Sequence, residues 1–580
     1  MPEEATTQGD EGVASAGGEA PSDGTARGPI ERLVASWWRI SLLAAAAAIT
    51  IQVYNLLEMG SIWDDAYIFQ RYAQNLLAGH GLAWHPGGEP SYGLTALLYV
   101  VPATLFRLLA GGNPSLGAIL SSLVCGGIFL VLLIRLLWCH SDAGLPARST
   151  ALVLIACCIG WSSTPLHFTT GMDTGFALGY LATLLILAHR FEQQPSQRRA
   201  IALGLVGGLA FWVRPELCTF GLAIAAASVV LGPRGQVRKQ ASVALGVVIA
   251  VLGLIALVNW SYFSSVLPLP FYGKSTGLYG GSLQKVYRGV AGQELVSFIG
   301  HYWPLFLVTG LEAASRRRAF WRHAPPLDKA VLAATLVCLA YYWLLALPVM
   351  GMSSRFFQPA VVGLAFLTAR ALGRWERQLA GSLPSWSRET WSLAAGAGLL
   401  ALWALLMPTL VEEGSTFSEK VSKRKLRFDP QREAAKKTGG PREYWFKLDE
   451  FAKLPDDLVI ASTEVGFLSA INPNKIIIDL AGLNDRVFAH RPFDADLLLG
   501  RYRPDLIYMP HEHYKTLNEA LLASPEFDNY VHLGKYHTQT RMFGIAIRKD
   551  SRHFQAMAVL CEYRKPLLGG SFDKLKSLVK

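Results

Sequence analysis

Charged side chains are scarce in this chain of 580 residues: they make up 17% of it, against 51% hydrophobic residues. That balance excludes a soluble protein of this length and reads as a polytopic membrane protein. Cysteine is sparse as well. Of the seven, only Cys561 lies beyond the apolar part, which excludes a disulfide framework for the tail, and no zinc-type spacing occurs among them. Residues 1 to 30 hold no aromatic residue and are largely Gly, Ala, Ser and acidic. A segment so poor in apolar surface is expected to stay disordered, to about residue 35. The first apolar stretch begins only near Ser41, so no cleaved signal peptide is expected. Arg32 and Arg39 precede it, and Ser41 to Leu57 reads as an uncleaved signal anchor with its start in the cytoplasm.

What is present is a long series of apolar runs. They follow near residues 94–110, 116–138, 149–166, 174–189, 200–213, 216–232, 241–261, 298–314, 329–349, 356–372 and 390–411. The formal net charge of +11 would suit nucleic acid, but the basic residues sit mostly between these runs, where positive charge sets topology. Nucleic acid is therefore excluded as a partner. Counting every run as a crossing puts the loops with Arg190/Arg198/Arg199, Arg234/Arg238/Lys239, Arg316/Arg317/Arg318/Arg322 and Arg370/Arg374/Arg377 outside. Demoting Leu94 to Ala110, a short run with Pro102 and Arg107, to a helix on or re-entering the outer surface brings all of them inside. The expectation is a mostly α membrane helix bundle over 36–411 of about eleven crossings with outer-face juxtamembrane helices. Its N-terminus is cytoplasmic and its first outer loop is 58–115.

After Leu410 the composition changes. Residues 412–450 are rich in Lys, Arg and Glu and read as a linker. Leu458 to Ser462, Lys475 to Leu480, Asp505 to Met509 and Met542 to Ile547 have the β-branched character of short buried strands, with helical patterns between them. A small C-terminal α/β domain, 451–580, is expected outside the membrane.

The same parity gathers five polar clusters on the outer side. The first is Asp64 and Asp65, directly after the first apolar run. Two adjacent acids at a membrane boundary do not both ionise cheaply, and either an upward-titrating acid or an intervening cation suits proton abstraction. Tyr67, Arg71 and Gln74 follow at helical spacing, so that Tyr67 stacks over Arg71. The bland alternative is a surface helix that the two acids merely cap. Asp173 opens another run, as a helix N-terminal acid or a ligand. Arg214 and Glu216 flank Pro215 in a short turn, as an ion pair or a site. Lys274 follows a Pro- and Gly-bounded segment, and Arg355 a Ser/Gly turn. Cations opposite carboxylates suit an anionic leaving group such as a lipid phosphate. His80 and His85 have no ligand spacing.

Several of these residues stand in longer motifs: Trp63-Asp64-Asp65-Ala66-Tyr67-Ile68, Thr170-Gly171-Met172-Asp173-Thr174, Trp212-Val213-Arg214-Pro215-Glu216-Leu217, Leu267-Pro268-Leu269-Pro270-Phe271-Tyr272-Gly273-Lys274, Arg355-Phe356-Phe357-Gln358-Pro359, and in the tail Ile478-Asp479-Leu480-Ala481-Gly482-Leu483-Asn484-Asp485. In this order they resemble the GT-C superfamily of polyprenyl-phosphate-sugar glycosyltransferases, and within it the cell-wall arabinofuranosyltransferases that add terminal β-(1→2)-linked residues. The sequence departs from the family pattern at Glu89-Pro90-Ser91-Tyr92-Gly93-Leu94-Thr95 and in having Asp173 where Glu is usual. The resemblance implies a GT-C bundle in a bacterial inner membrane with a periplasmic tail. It also implies inverting transfer of a sugar from a polyprenyl-phosphate donor to a glycan, lipid or protein acceptor. Asp64 would then act as base. Asp65 would orient it, bind acceptor, or hold a divalent cation (Mg, Mn or Ca), in the last case with Asp173. Lys274 and Arg355 would stabilise the leaving phosphate, with Arg71 and Arg214 behind them. The rival from another class is a transporter or flippase of lipid-linked glycans, which predicts charges near the bilayer midplane.

Overall fold

The computed structural model describes residues 29–59, 62–139, 145–275, 282–347, 349, 351–382, 448–510, 514–533 and 544–562. The chain is a membrane protein, mostly helical, with a small mixed sheet near its C-terminus. The helices of the first part are α1 (Pro29–Met59), α2 (Asp64–Leu77), α3 (Val100–Leu109), α4 (Pro114–Cys139), α5 (Leu145–Trp161), α6 (Thr174–Gln193), α7 (Gln197–Val213), α8 (Cys218–Leu231), α9 (Gln236–Phe263), α10 (Leu269–Ser275), α11 (Ser282–His323), α12 (Pro326–Ala340) and α13 (Pro359–Ser382). Among the described residues, Pro114–Trp138, Thr174–Gln193, Gln236–Phe263 and Pro326–Leu345 are helical stretches long and apolar enough to cross a bilayer. Shorter apolar helices, such as Ala147–Trp161, pack among them.

The run Leu94 to Ala110 becomes a 3₁₀ turn, Leu97–Tyr99, followed by the ten residues of α3. At 1.5 Å per residue that helix spans roughly half the hydrocarbon thickness. Two expectations need correction. Arg316, Arg317, Arg318 and Arg322 are not in a loop, because α11 continues without a break to His323. Arg370 and Arg374 are not loop charges either: they lie on α13 and are mostly buried in ion pairs. Arg370 binds Asp328 (2.6 Å) and Glu192 (2.8 Å), and Arg374 binds Glu312 (2.7 Å) and Asp328 (2.5 Å). Buried charges persist only when paired in this way, and the network ties α6, α11, α12 and α13 together. The apolar run 390–411 and most of the linker 412–450 lie outside the described residues, as does the expected disordered segment up to residue 28.

The tail contains β1 (Val459–Ser462), α14 (Gly466–Ile471), β2 (Ile476–Asp479), α15 (Arg486–His490), β3 (Leu506–Tyr508), α16 (Lys515–Ala523), β4 (Tyr530–Leu533), β5 (Ile545–Arg548) and α17 (Phe554–Glu562). The sheet order is β2-β1-β3-β5-β4. β1 pairs in parallel with β2 and β3, while β5 is antiparallel to both β3 and β4. Sequence patterning missed β4, whose Tyr-Val-His-Leu run carries a weaker apolar signal than the Ile-rich central strands.

The tail docks on the segment between α1 and α4. Tyr67, Tyr72, Trp84 and Tyr92 share one buried apolar cluster with Phe451, Phe467, Leu468 and Ile477. The Trp84 indole N–H donates to the Ile477 carbonyl (2.7 Å), and the Ser91 hydroxyl to that of Asn484 (2.8 Å). The two parts thus form one body at this end of the bundle.

Candidate functional site

A cavity of about 380 Å³ opens where α2, α10, the Arg214 turn, the end of α12 and the start of α13 meet. Asp65, Arg214, Glu216, Lys274 and Arg355 line it. So do apolar residues, among them Ile68, Phe69, Met172, Leu345 and, from the tail, Leu483. The charged residues among them, separated by up to nearly three hundred positions, are brought together by the short turns that join successive helices.

Three cations surround one ring. The guanidinium carbons of Arg214 and Arg355 lie 5.2 and 5.4 Å from the centroid of Phe356, and the Lys274 ammonium lies 5.5 Å from it. The ring's negative face partly offsets their mutual repulsion. Arg355 also stands 5.8 Å from the Trp63 ring. Carboxylates balance the cluster. The Arg355 Nη2 donates to Asp173 Oδ1 at 2.5 Å, Arg214 Nε approaches Asp173 Oδ2 at 3.8 Å, and Arg214 Nε meets Glu216 Oε1 at 2.8 Å. Tyr342 donates its hydroxyl to Glu216 and accepts from Arg214 Nη2 (3.1 Å). It sits in a single π-helical turn, Tyr341–Leu345, that ends α12, and such turns redirect side chains toward sites. Among the described residues, Arg214 Nη1 and Arg355 Nε are buried with no hydrogen-bond partner. Unspent guanidinium donors beside a cavity are suited to an anion.

Lys274 is surrounded by protein and keeps part of its surface open to the cavity. Burial pulls its ammonium down to about 8; the Asp65 and Glu216 charges oppose this, while Arg355 and Arg214 reinforce it. An arriving anion would restore its charge. The helix that carries it, α10, touches the tail: the Tyr272 and His490 rings lie 4.2 Å apart. A Cβ on Gly273 would stand 3.3 Å from the Gly482 carbonyl oxygen. The loop after β2 is organised by Asp479, whose carboxylate accepts the Ala481 N–H, the Asn484 N–H and the Asn484 side-chain amide, each at 2.9 Å. Burial raises Asp479 to about 7 against these donors. Gly482 takes φ +70° there, and a Cβ would fall 2.6 Å from the Phe488 carbonyl oxygen. Glycine is the residue that meets both requirements.

The remaining residues singled out from sequence lie elsewhere. Asp64 does not line the cavity. Its two oxygens accept the backbone N–H groups of Gly466 and Phe467, both at 2.9 Å, so it caps α14 of the tail. The approach is so close that a Cβ on Gly466 would overlap the Asp64 carbonyl oxygen at 1.9 Å. Arg71 is not a cavity cation either. It is fully buried and donates to the carbonyls of Trp84, Ser469, Asn472, Pro473 and Lys475, at 2.6–3.1 Å, leaving nothing for a substrate. Tyr67 shares a hydrogen bond with Ser115 (2.9 Å) and packs edge-on against Phe467 at 4.9 Å. Asp173 stands behind the cavity wall, 1% exposed. Covered by two guanidinium groups, Asp173 does not fit a cation site with Asp65. Among the described residues no group of three His, Cys, Asp or Glu side chains assembles.

Sequence reasoning overlooked Phe356, Tyr342 and Leu483. Phe356 stood next to Arg355 in a quoted motif, but aromatic residues are common enough in apolar runs to carry no signal of their own. Leu483 lay in the tail motif, with nothing local to join it to the bundle.

No family model matches the chain, and no curated protein matches it in sequence. Solved structures to which the chain is similar include ArnT from Cupriavidus metallidurans in the apo state, 15% identical over 84% of this chain and 95% of that one, with a TM-score of 0.46. ArnT bound to undecaprenyl phosphate is similar at 15% identity, over 83% and 94%, with a TM-score of 0.45. The archaeal oligosaccharyltransferase AglB from Archaeoglobus fulgidus, in complex with an inhibitory peptide and a dolichol-phosphate, is 12% identical over 90% and 74%, also at 0.45.

Proposed function

We propose that the chain is an inverting GT-C glycosyltransferase that moves a sugar from a polyprenyl-phosphate donor to a glycan, lipid or protein acceptor. The reading is supported chiefly by the cation cluster around Phe356, beside a cavity that apolar residues and a carboxylate, Asp65, also line. A lipid phosphate needs both surfaces. In this proposal Asp65, not Asp64, takes the proton of the acceptor hydroxyl. The freed oxygen attacks the anomeric carbon opposite the phosphate, the carbon–oxygen bond to phosphate breaks, and the configuration inverts. The departing polyprenyl phosphate carries the electron pair as a phosphate oxyanion. Lys274, Arg355 and Arg214 hold that charge, so no general acid is required. Asp173 and Glu216 keep the two guanidiniums aimed. Asp64 and Arg71 hold the tail on α2, and Leu483 closes the cavity.

We place the site on the outer face of a bacterial inner membrane, with the N-terminus cytoplasmic and the tail periplasmic. Arabinofuranose, from the motif resemblance, is the first donor sugar to try. Purified protein incubated with a panel of polyprenyl-phosphate sugars and acceptors tests the reading. Product of inverted configuration, lost in Asp65→Asn, supports it. Donor binding without product from any pair would favour the transporter or flippase instead.

A further inference from the structure

The segment that delivers Arg355 and Phe356 to the cavity begins with an unusual turn. Ser353 and Ser354 both adopt φ +57°, a left-handed conformation that side-chain-bearing residues avoid and that two in succession hold only when their surroundings over-determine it. Those surroundings are specific. The Ser354 N–H donates to Glu294 Oε2 at 2.5 Å, and its hydroxyl lies 2.9 Å from the Glu294 carbonyl and 3.1 Å from Oε2. The Ser353 carbonyl accepts from the Ser163 hydroxyl (2.7 Å) and stands 2.9 Å from His167 Nε2. Glu294 comes from α11, while Ser163 and His167 come from the segment joining α5 to α6. Glu294 does not line the cavity. His167 also packs edge-on against Trp63 at 5.9 Å, the ring beneath Arg355.

Relaxation of either serine to negative φ would swing the following residue, and Arg355 would leave Asp173 and the cavity together. We infer that Glu294, with Ser163 and His167 on the other side, is a positioning residue: it holds the Ser353–Ser354 turn that aims Arg355 and Phe356 at the anionic group of the substrate. This rests on the proposed transfer from a lipid phosphate, although the turn itself can be examined without it.

The test uses the full chain in lipid nanodiscs and three variants: Glu294→Ala, Glu294→Gln, and Glu294→Ala combined with Ser353→Gly and Ser354→Gly. The alanine variant is expected to lose roughly ten- to hundredfold in kcat/KM for a polyprenyl-phosphate sugar, the worth of a hydrogen bond to a charged group. Glutamine, whose amide oxygen still accepts, should stay within about threefold of wild type. The two glycines adopt positive φ without a clamp and should recover most of the loss, whereas a purely stabilising role predicts further decline. A folded Glu294→Ala protein with unchanged kcat/KM, or a loss that the glycines fail to restore, overturns the inference. If wild type transfers no sugar at all, the functional reading fails separately. The structure of the alanine variant then decides: displacement of Arg355 from Asp173 supports the clamp, and an intact turn refutes it.

Discussion

Exchange of either member of the Asp64–Asp65 pair for asparagine should produce opposite phenotypes. Asp64 spends both oxygens on the N–H groups of Gly466 and Phe467. Asparagine keeps one accepting oxygen and turns an N–H₂ toward the second donor, so Asp64→Asn forfeits about one charge-assisted bond, roughly 1.5–3 kcal/mol. That loss falls on tail docking, and in a chain of this size it lowers the midpoint of thermal unfolding by a few degrees. Turnover should stay within about tenfold of wild type, because the cavity keeps its own acid and cations. Asp65→Asn removes the carboxylate that lines the cavity while leaving those backbone bonds in place. Loss of a general base costs about 10²- to 10⁴-fold in kcat, while the Asp64 bonds that dock the tail remain. Parallel assays of sugar transfer and of thermal unfolding in the same detergent check both halves. An inactive, fully stable Asp64→Asn protein beside an active Asp65→Asn protein would refute the division of roles.

Two further outcomes follow from the charges. Burial pulls Lys274 down to about 8, so its ammonium loses its proton as pH rises through that value, and kcat/KM for donor should fall by about tenfold per pH unit above it. Lys274→Arg, charged throughout, should abolish this limb; a flat wild-type profile to pH 9.5, or a limb that survives in the variant, would contradict the phosphate role. Arg71→Ala removes the charged donor that the carbonyls of Ser469, Asn472, Pro473 and Lys475 share and should weaken tail docking by about 3 kcal/mol, seen as faster proteolytic release of the tail; a tail as protected as in wild type would rule out the staple.

Composition and hydropathy by themselves determined the membrane class, the helical bundle, most helix positions and the existence of an α/β tail. These properties depend on how many apolar residues stand together and at what period, which is local information. Polarity at helix ends also marked Asp65, Arg214, Glu216, Lys274 and Arg355 as worth pairing with one another, and these five line one cavity. What the chain order could not distinguish was Asp64 from Asp65, or Arg71 from Arg214. Adjacent acids on a helix start differ by about 100° in direction, and only the docking of α14 decided which one met backbone amides. Arg71 looked like a site cation until the tail, four hundred residues later, supplied its carbonyl partners. Likewise the strained turn before Arg355 and its Glu294 clamp arise from packing between distant helices. Identity along a chain tells which groups carry charge; partners, and therefore roles, come from the three-dimensional neighbours that neutralise or leave them free.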